Sequence, residues 1–194
     1  GGGRQGRKAS RENAVKRVAP YIERKIPYFE YLSEPSLQLI EDNADTLLEE
    51  IGIDFLDDTE ALEMWVEAGA DVTGSRVRFP RGLCRQLINA SAPREYIQHA
   101  RNPDRSVIIG GDRTVLVPAY GSPFVFDIDE GRRYATIEDF QNFVKLAYMA
   151  PFMHHSGGTI CEPVDLPVNK RHFDMVYSHL KYSDKPLMGS VTHE

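Results

Sequence analysis

Cysteine is scarce. The 194-residue chain has two, Cys84 and Cys161, far apart and with no second thiol at metal-ligand spacing. That argues against a disulfide framework and matches no standard zinc pattern, so no bound metal is expected and a reducing compartment is. Two separate buried thiols are the ordinary reading of free cysteine. Long apolar runs are missing as well. None approaches the ~18 residues needed to span a bilayer, and no apolar segment of a secretory signal follows the Gly-rich, basic N-terminus. A cytoplasmic protein away from the membrane is the expectation. No G-x-G-x-x-G or Walker sequence lies among the alternating helices and strands of the later chain, which weakens a doubly wound nucleotide-binding reading.

Charge is abundant but unevenly placed. Residues 1–25 hold eight Lys/Arg against Glu12 and Glu23, a net of +6, so the rest must carry -12 for the overall -6. A basic tail can touch nucleic acid, but this one has no aromatic residue before Tyr21. Residues 1–27 therefore read as a solvated, flexible arm, and the acidic body argues against a nucleic-acid partner.

From residue 28 to about 113 the pattern is mainly helical, with small hairpins. Ser33 stands before Glu34-Pro35, a good helix start. Leu37, Ile40, Ala44, Leu47, Leu48 and Ile51 then repeat at helical spacing until Gly52. A second helix fits Asp58–Ala68 and a third follows Pro80, with a hairpin around Thr73-Gly74-Ser75 between them. Gly110-Gly111-Asp112-Arg113 predicts a hairpin turn between 107–109 and 114–117.

The rhythm changes at Thr136, which can cap a helix carrying Ile137, Phe140, Phe143, Val144 and Ala147. A short strand at 152–156 ends at Gly157-Gly158. A helix follows with Phe173, Val176, Tyr177 and Leu180 on its apolar stripe, then a strand at 187–191. This spacing predicts parallel pairing with right-handed crossovers. The fold class is α/β, and 114–194 reads as the first βα units of a TIM (β/α)8 barrel, with a doubly wound sheet as the alternative.

Several segments in order carry a resemblance. They are Leu48-Glu49-Glu50-Ile51-Gly52-Ile53, Glu67-Ala68-Gly69-Ala70, Arg76-Val77-Arg78-Phe79-Pro80, Ala92-Pro93 and Ala100-Arg101-Asn102-Pro103. Gly121-Ser122-Pro123-Phe124-Val125-Phe126-Asp127, Gly131-Arg132-Arg133-Tyr134-Ala135-Thr136 with Asp139, and Asp184-Lys185-Pro186 complete the set. Together they resemble the trimethylamine methyltransferase family. The resemblance implies a TIM barrel behind a helical region, of which this would be the N-terminal portion, ending before the barrel closes. It implies transfer of a methyl group from a tertiary or quaternary amine to the cobalt of a corrinoid (cobalamin) carried by a partner protein, with no cofactor bound directly. Some members place pyrrolysine in a later strand and serve methylamine metabolism and methanogenesis; relatives without it act on glycine betaine.

Barrel sites lie at the C-terminal ends of strands. Aromatic faces suit an alkylammonium ion, so Tyr120 is a candidate cage wall or else a packed core residue. Glu194 could attract the cation, and Ser156, Thr192 and His193 could orient a carboxylate-bearing amine. His154 and His155 should point to opposite faces of their strand, so at most one meets the site. Arg132 and Arg133 suit either an acidic partner or a salt-bridged loop. An open sheet edge would favour a homo-oligomer and leave the fragment alone inactive. The alternative is a truncated, non-catalytic homologue acting as an interaction module.

Overall fold

The computed structural model describes residues 22–189. Contacts divide these into two compact units: residues 26–93, and residues 94–189 together with residues 22–25.

The first unit begins with α1 (Glu34–Glu50), whose N-cap Ser33 is extended and makes no side-chain cap bond; its hydroxyl pairs instead with that of Ser36, at 2.9 Å. The helix ends where Gly52, at φ +73°, donates to Leu47 O. A β-carbon there would lie 2.2 Å from Val77 O, so both the turn and the close approach require glycine. β2 (Ile53–Asp54) follows, then α2 (Thr59–Glu67), capped by Asp58 accepting from Ala61 N. β3 (Asp71–Thr73) and β4 (Arg76–Arg78) form the expected hairpin, and β2 adds to the other side of β4. Val77 and Phe79 are buried there, with Trp65 edge-on to Phe79 at 4.8 Å. α3 (Leu83–Ser91) completes the unit. The apolar stripe of α1 buries less than its spacing predicts. Leu37, Ile40, Leu47 and Ile51 are exposed, because a three-stranded sheet is too narrow to cover the whole face.

In the second unit β5 (Glu95–Gln98) pairs antiparallel with β6 (Val107–Gly110) across the 3-10 turn Pro103–Arg105. This corrects the hairpin expected between 107–109 and 114–117. β7 (Arg113–Thr114) pairs instead with β1 (Ile22–Glu23). Gly110 and Gly111 both have positive φ, and a β-carbon on Gly110 would meet Arg94 O at 2.2 Å, so the glycines serve tight packing onto β5. β8 (Phe124–Asp127) and β9 (Gly131–Tyr134) form a hairpin, so Arg132 and Arg133 lie on a strand and not in a loop.

Thr136 and Asp139 then build a full capping box at the start of α4 (Ile137–Met149). Together with α5 (Val168–Tyr182), the helix packs around Val125, Ala135, Phe140, Val144, Cys161 and Met175. α5 turns the other way from its apolar stripe: Arg171, His172, Met175, Ser178 and His179 are buried, while Phe173 and Tyr177 are 68% and 57% exposed. Buried polar partners outweigh periodicity here.

The stretches at 152–156 and 187–189 are extended but form no regular ladder. Ser156 N donates to Pro186 O and Met188 N to Gly157 O, so the segments run in the same direction with one residue slipped at Gly157, whose φ is +95°. On the other side His154 N donates to Leu116 O, Gly121 N to Thr159 O, and Ser122 bridges Cys161 in parallel sense. The architecture is mixed α/β, and the described residues do not close into a barrel.

Candidate active site

Three neighbouring segments, 115–122, 153–162 and 186–188, bring the candidate residues into view. Gly157 and Gly158 interrupt the middle one and allow the side chains on either side to approach it.

Ser156 is fully buried, and its hydroxyl lies 2.8 Å from His179 Nδ1 on α5. His179 Nε2 is 2.9 Å from Gly158 O, an atom that can only accept, so this nitrogen carries the proton. In the neutral ring Nδ1 then accepts from Ser156. Burial lowers the His179 pKa, partly opposed by the Gly158 bond, which keeps the ring neutral at ordinary pH. The relay ties the glycine loop to α5.

His155 points the opposite way. Its Nδ1 accepts from Gly157 N at 2.8 Å, so Nε2 donates to Gln98 Oε1 at 3.1 Å, and Gln98 Nε2 donates to Leu187 O. Burial, with His179 nearby, pulls the His155 pKa down to about 4. His155 and Gln98 face a cavity of ≈ 300 Å³ shared with Tyr96, Val115, Val117 and Met188. The uncharged imidazole adds no charge to this wall, where Arg113 also lines the cavity and pairs with Glu95 Oε1 at 2.8 Å. His154 is buried too, its Nδ1 accepting from Leu116 N.

Tyr120 is 46% exposed and lies over Gly158, its hydroxyl 3.7 Å from Met188 Sδ. Tyr120 and Ser156 therefore meet different surroundings, one open and one sealed beneath α5, and neither lines the ≈ 300 Å³ cavity. Thr192, His193 and Glu194 lie outside the described residues. Among the described residues no cluster of three His, Cys, Asp or Glu side chains is arranged to hold a metal, and no helix is long and apolar enough to cross a membrane.

The sequence reading missed Gln98, His179 and Lys185. Lys185 is buried and gives its ammonium to the carbonyls of Ala147, Ala150 and Met153. Nothing local marks these roles, since each partner is distant in sequence. Of the two arginines, Arg133 makes a bidentate pair with Asp139 and Arg132 lies over the Phe124 ring, 3.8 Å from its centre.

The family model for trimethylamine methyltransferase (MTTB) matches residues 1–194. The chain is 45% identical over 166 residues to a glycine betaine methyltransferase of Desulfitobacterium hafniense (strain Y51), covering 86% of this chain and 34% of that protein. It is 30% identical over 178 residues to a proline betaine:corrinoid methyltransferase of Eubacterium limosum, covering 89% and 35% respectively. The chain thus spans about a third of the length of these relatives. It belongs to the trimethylamine methyltransferase family.

Proposed function

We propose that the full-length protein takes a methyl group from a quaternary amine of the betaine class and delivers it to the cobalt of a separate corrinoid protein. The 45% identity to a glycine betaine methyltransferase carries this reading. The second relative, named for proline betaine and a corrinoid, supports it. The same reading makes segments 115–122, 153–162 and 186–188 the first strands of a (β/α)8 barrel, and their shared direction supports that.

The chemistry asks little acid–base work of the protein. The carbon–nitrogen bond breaks with its electron pair left on nitrogen, so the leaving group is a neutral tertiary amine that needs no proton. The protein must hold the cation, align one methyl group and keep water out. The partner's corrinoid supplies the methyl acceptor. Tyr120, at the C-terminal end of the first segment, is where the barrel rule puts site residues, and it offers an aromatic face. Ser156 contributes from behind, holding the Gly157-Gly158 loop through His179. Thr192, His193 and Glu194 are proposed for the substrate's polar end and for attraction of the cation. Self-association belongs to the same proposal, supported by the exposed Phe173, Tyr177 and Leu180 on α5.

The test is to incubate the full-length protein and its corrinoid protein with glycine betaine, proline betaine and trimethylamine, following demethylated products by NMR. Corrinoid-dependent loss of one methyl group from a betaine is expected. Demethylation of trimethylamine alone, or of none of the three, overturns the proposal.

A further inference from the structure

We infer that Gly158 and Met188 are positioning residues that fix the Tyr120 ring as a platform for the substrate's trimethylammonium group, an inference that rests on the proposed function.

The geometry is specific. A β-carbon on Gly158 would lie 3.2 Å from Tyr120 Cε1, 3.1 Å from Met188 O and 3.4 Å from Met188 Cβ. The first two are tighter than ordinary van der Waals contact, so the ring rests on the glycine and a side chain there would make its neighbours give by a few tenths of an ångström. Met188 O is a backbone atom and cannot move aside, which leaves the ring as the part that would shift. Met188 supplies the second restraint, because the Tyr120 hydroxyl reaches its Sδ at 3.7 Å. Met188 also lines the cavity with His155 and Gln98, so the platform adjoins that cavity.

Gly158 is itself anchored. Its carbonyl accepts from buried His179, and the preceding Gly157 carbonyl accepts from Met188 N at 2.9 Å. The ring is therefore held by two contacts, one from each of two neighbouring segments, while almost half of the residue stays open. A fixed, half-open aromatic face is what a quaternary ammonium ion requires, and in the adjoining cavity His155 is neutral and Arg113 is paired with Glu95. Such an ion offers no hydrogen-bond donor, and the ring quadrupole favours it over a hydrocarbon of the same shape.

That last point supplies the experiment. Full-length wild type is first tested for binding of proline betaine; wild type, Gly158→Ala, Met188→Leu, Tyr120→Phe and Tyr120→Leu are then titrated calorimetrically with glycine betaine and with tert-butylacetate, which carries a quaternary carbon in place of nitrogen. The ratio of the two dissociation constants reads the cation preference and is insensitive to general loss of folded protein. Wild type should prefer betaine roughly 3- to 30-fold from the ring. Tyr120→Leu should cut the preference by about threefold or more, and Gly158→Ala and Met188→Leu should lower it in the same direction. Tyr120→Phe keeps the ring on Gly158 and should preserve most of it. If wild type binds neither glycine betaine nor proline betaine, the proposed function and this inference fail together. If wild type prefers betaine and Tyr120→Leu or Gly158→Ala leaves that preference unchanged, the inference alone is overturned. Should Gly158→Ala not fold, the Tyr120 and Met188 variants decide.

Discussion

At the scale of single residues, Asp139 holds two structures at once. One carboxylate accepts both guanidinium nitrogens of Arg133 and the backbone and hydroxyl of Thr136, so hairpin β8–β9 and helix α4 share one anchor. Arg133 first, then the Thr136 bonds, hold its pKa at about 2, below the ordinary 3.8. A lowered carboxylate pKa stabilises the fold above the unfolded value and withdraws that stability as pH falls through the folded one. The Asp139 contribution should be complete above pH 4 and fade toward pH 2. Asp139→Asn should flatten this part of an acid-unfolding profile and cost about 1 kcal/mol at neutral pH, the usual value of a helix cap. A variant profile parallel to wild type between pH 4 and 2 would show that the carboxylate is not the anchor.

At the scale of elements, α4 ends on Lys185. Three carbonyls at the helix's negative end take the three ammonium protons, tying α4 to the segment that continues into Met188. Burial, with Arg105 nearby, draws the Lys185 pKa down to about 8, opposed by Asp184. Between about 8 and 10.5 the unfolded chain keeps the proton that the folded chain releases, so this group makes stability rise with pH in that window. Lys185→Met should remove the rise and, by stranding carbonyls, cost roughly 2–4 kcal/mol near pH 7. Chemical denaturation at pH 7 and pH 9.5 measures both; a neutral effect at pH 7 contradicts the anchoring role.

Local signals in the sequence served where local physics decides. Ser33-Glu34-Pro35, Asp58, Thr136 with Asp139, and Thr73-Gly74-Ser75 each mark a start or turn found in the structure. The α5 stripe misled because the face that turns inward is chosen by partners far away: Ser156 and Gly158 for His179, Glu162 for Arg171. The same limit applied to the site. Tyr120 is a candidate from its expected place at a strand end, whereas Gln98 and Met188 carry no such signal, since only the folded chain brings them to His155 and to the tyrosine ring.

At the scale of the whole molecule, exposed apolar surface is the dominant feature. Leu146 and Met149 on α4 and Phe173, Tyr177 and Leu180 on α5 all face outward. Under the proposed barrel these helices lie on its outside, where grouped apolar residues mark an interface. Under the proposed self-association, sedimentation of the full-length protein should show a dimer or larger species, and the double variant Phe173→Glu, Tyr177→Glu should shift it toward monomer. A wild-type monomer at micromolar concentration would remove this part of the proposal.

The two thiols differ in one further consequence. Cys161 sits in the core between Val125 and Met175, 2% exposed, with its pKa pushed up to about 12 by burial and by Asp139 and Asp165. Cys84 is only half-buried. With no other sulfhydryl in the sequence, the pair works as a built-in clock: Cys84, its pKa raised by burial and Asp45, should still alkylate first, whereas Cys161 should alkylate only in the moments when the core opens. The lag between the two, followed by mass spectrometry, times the breathing of the second unit without any label having to be engineered into it.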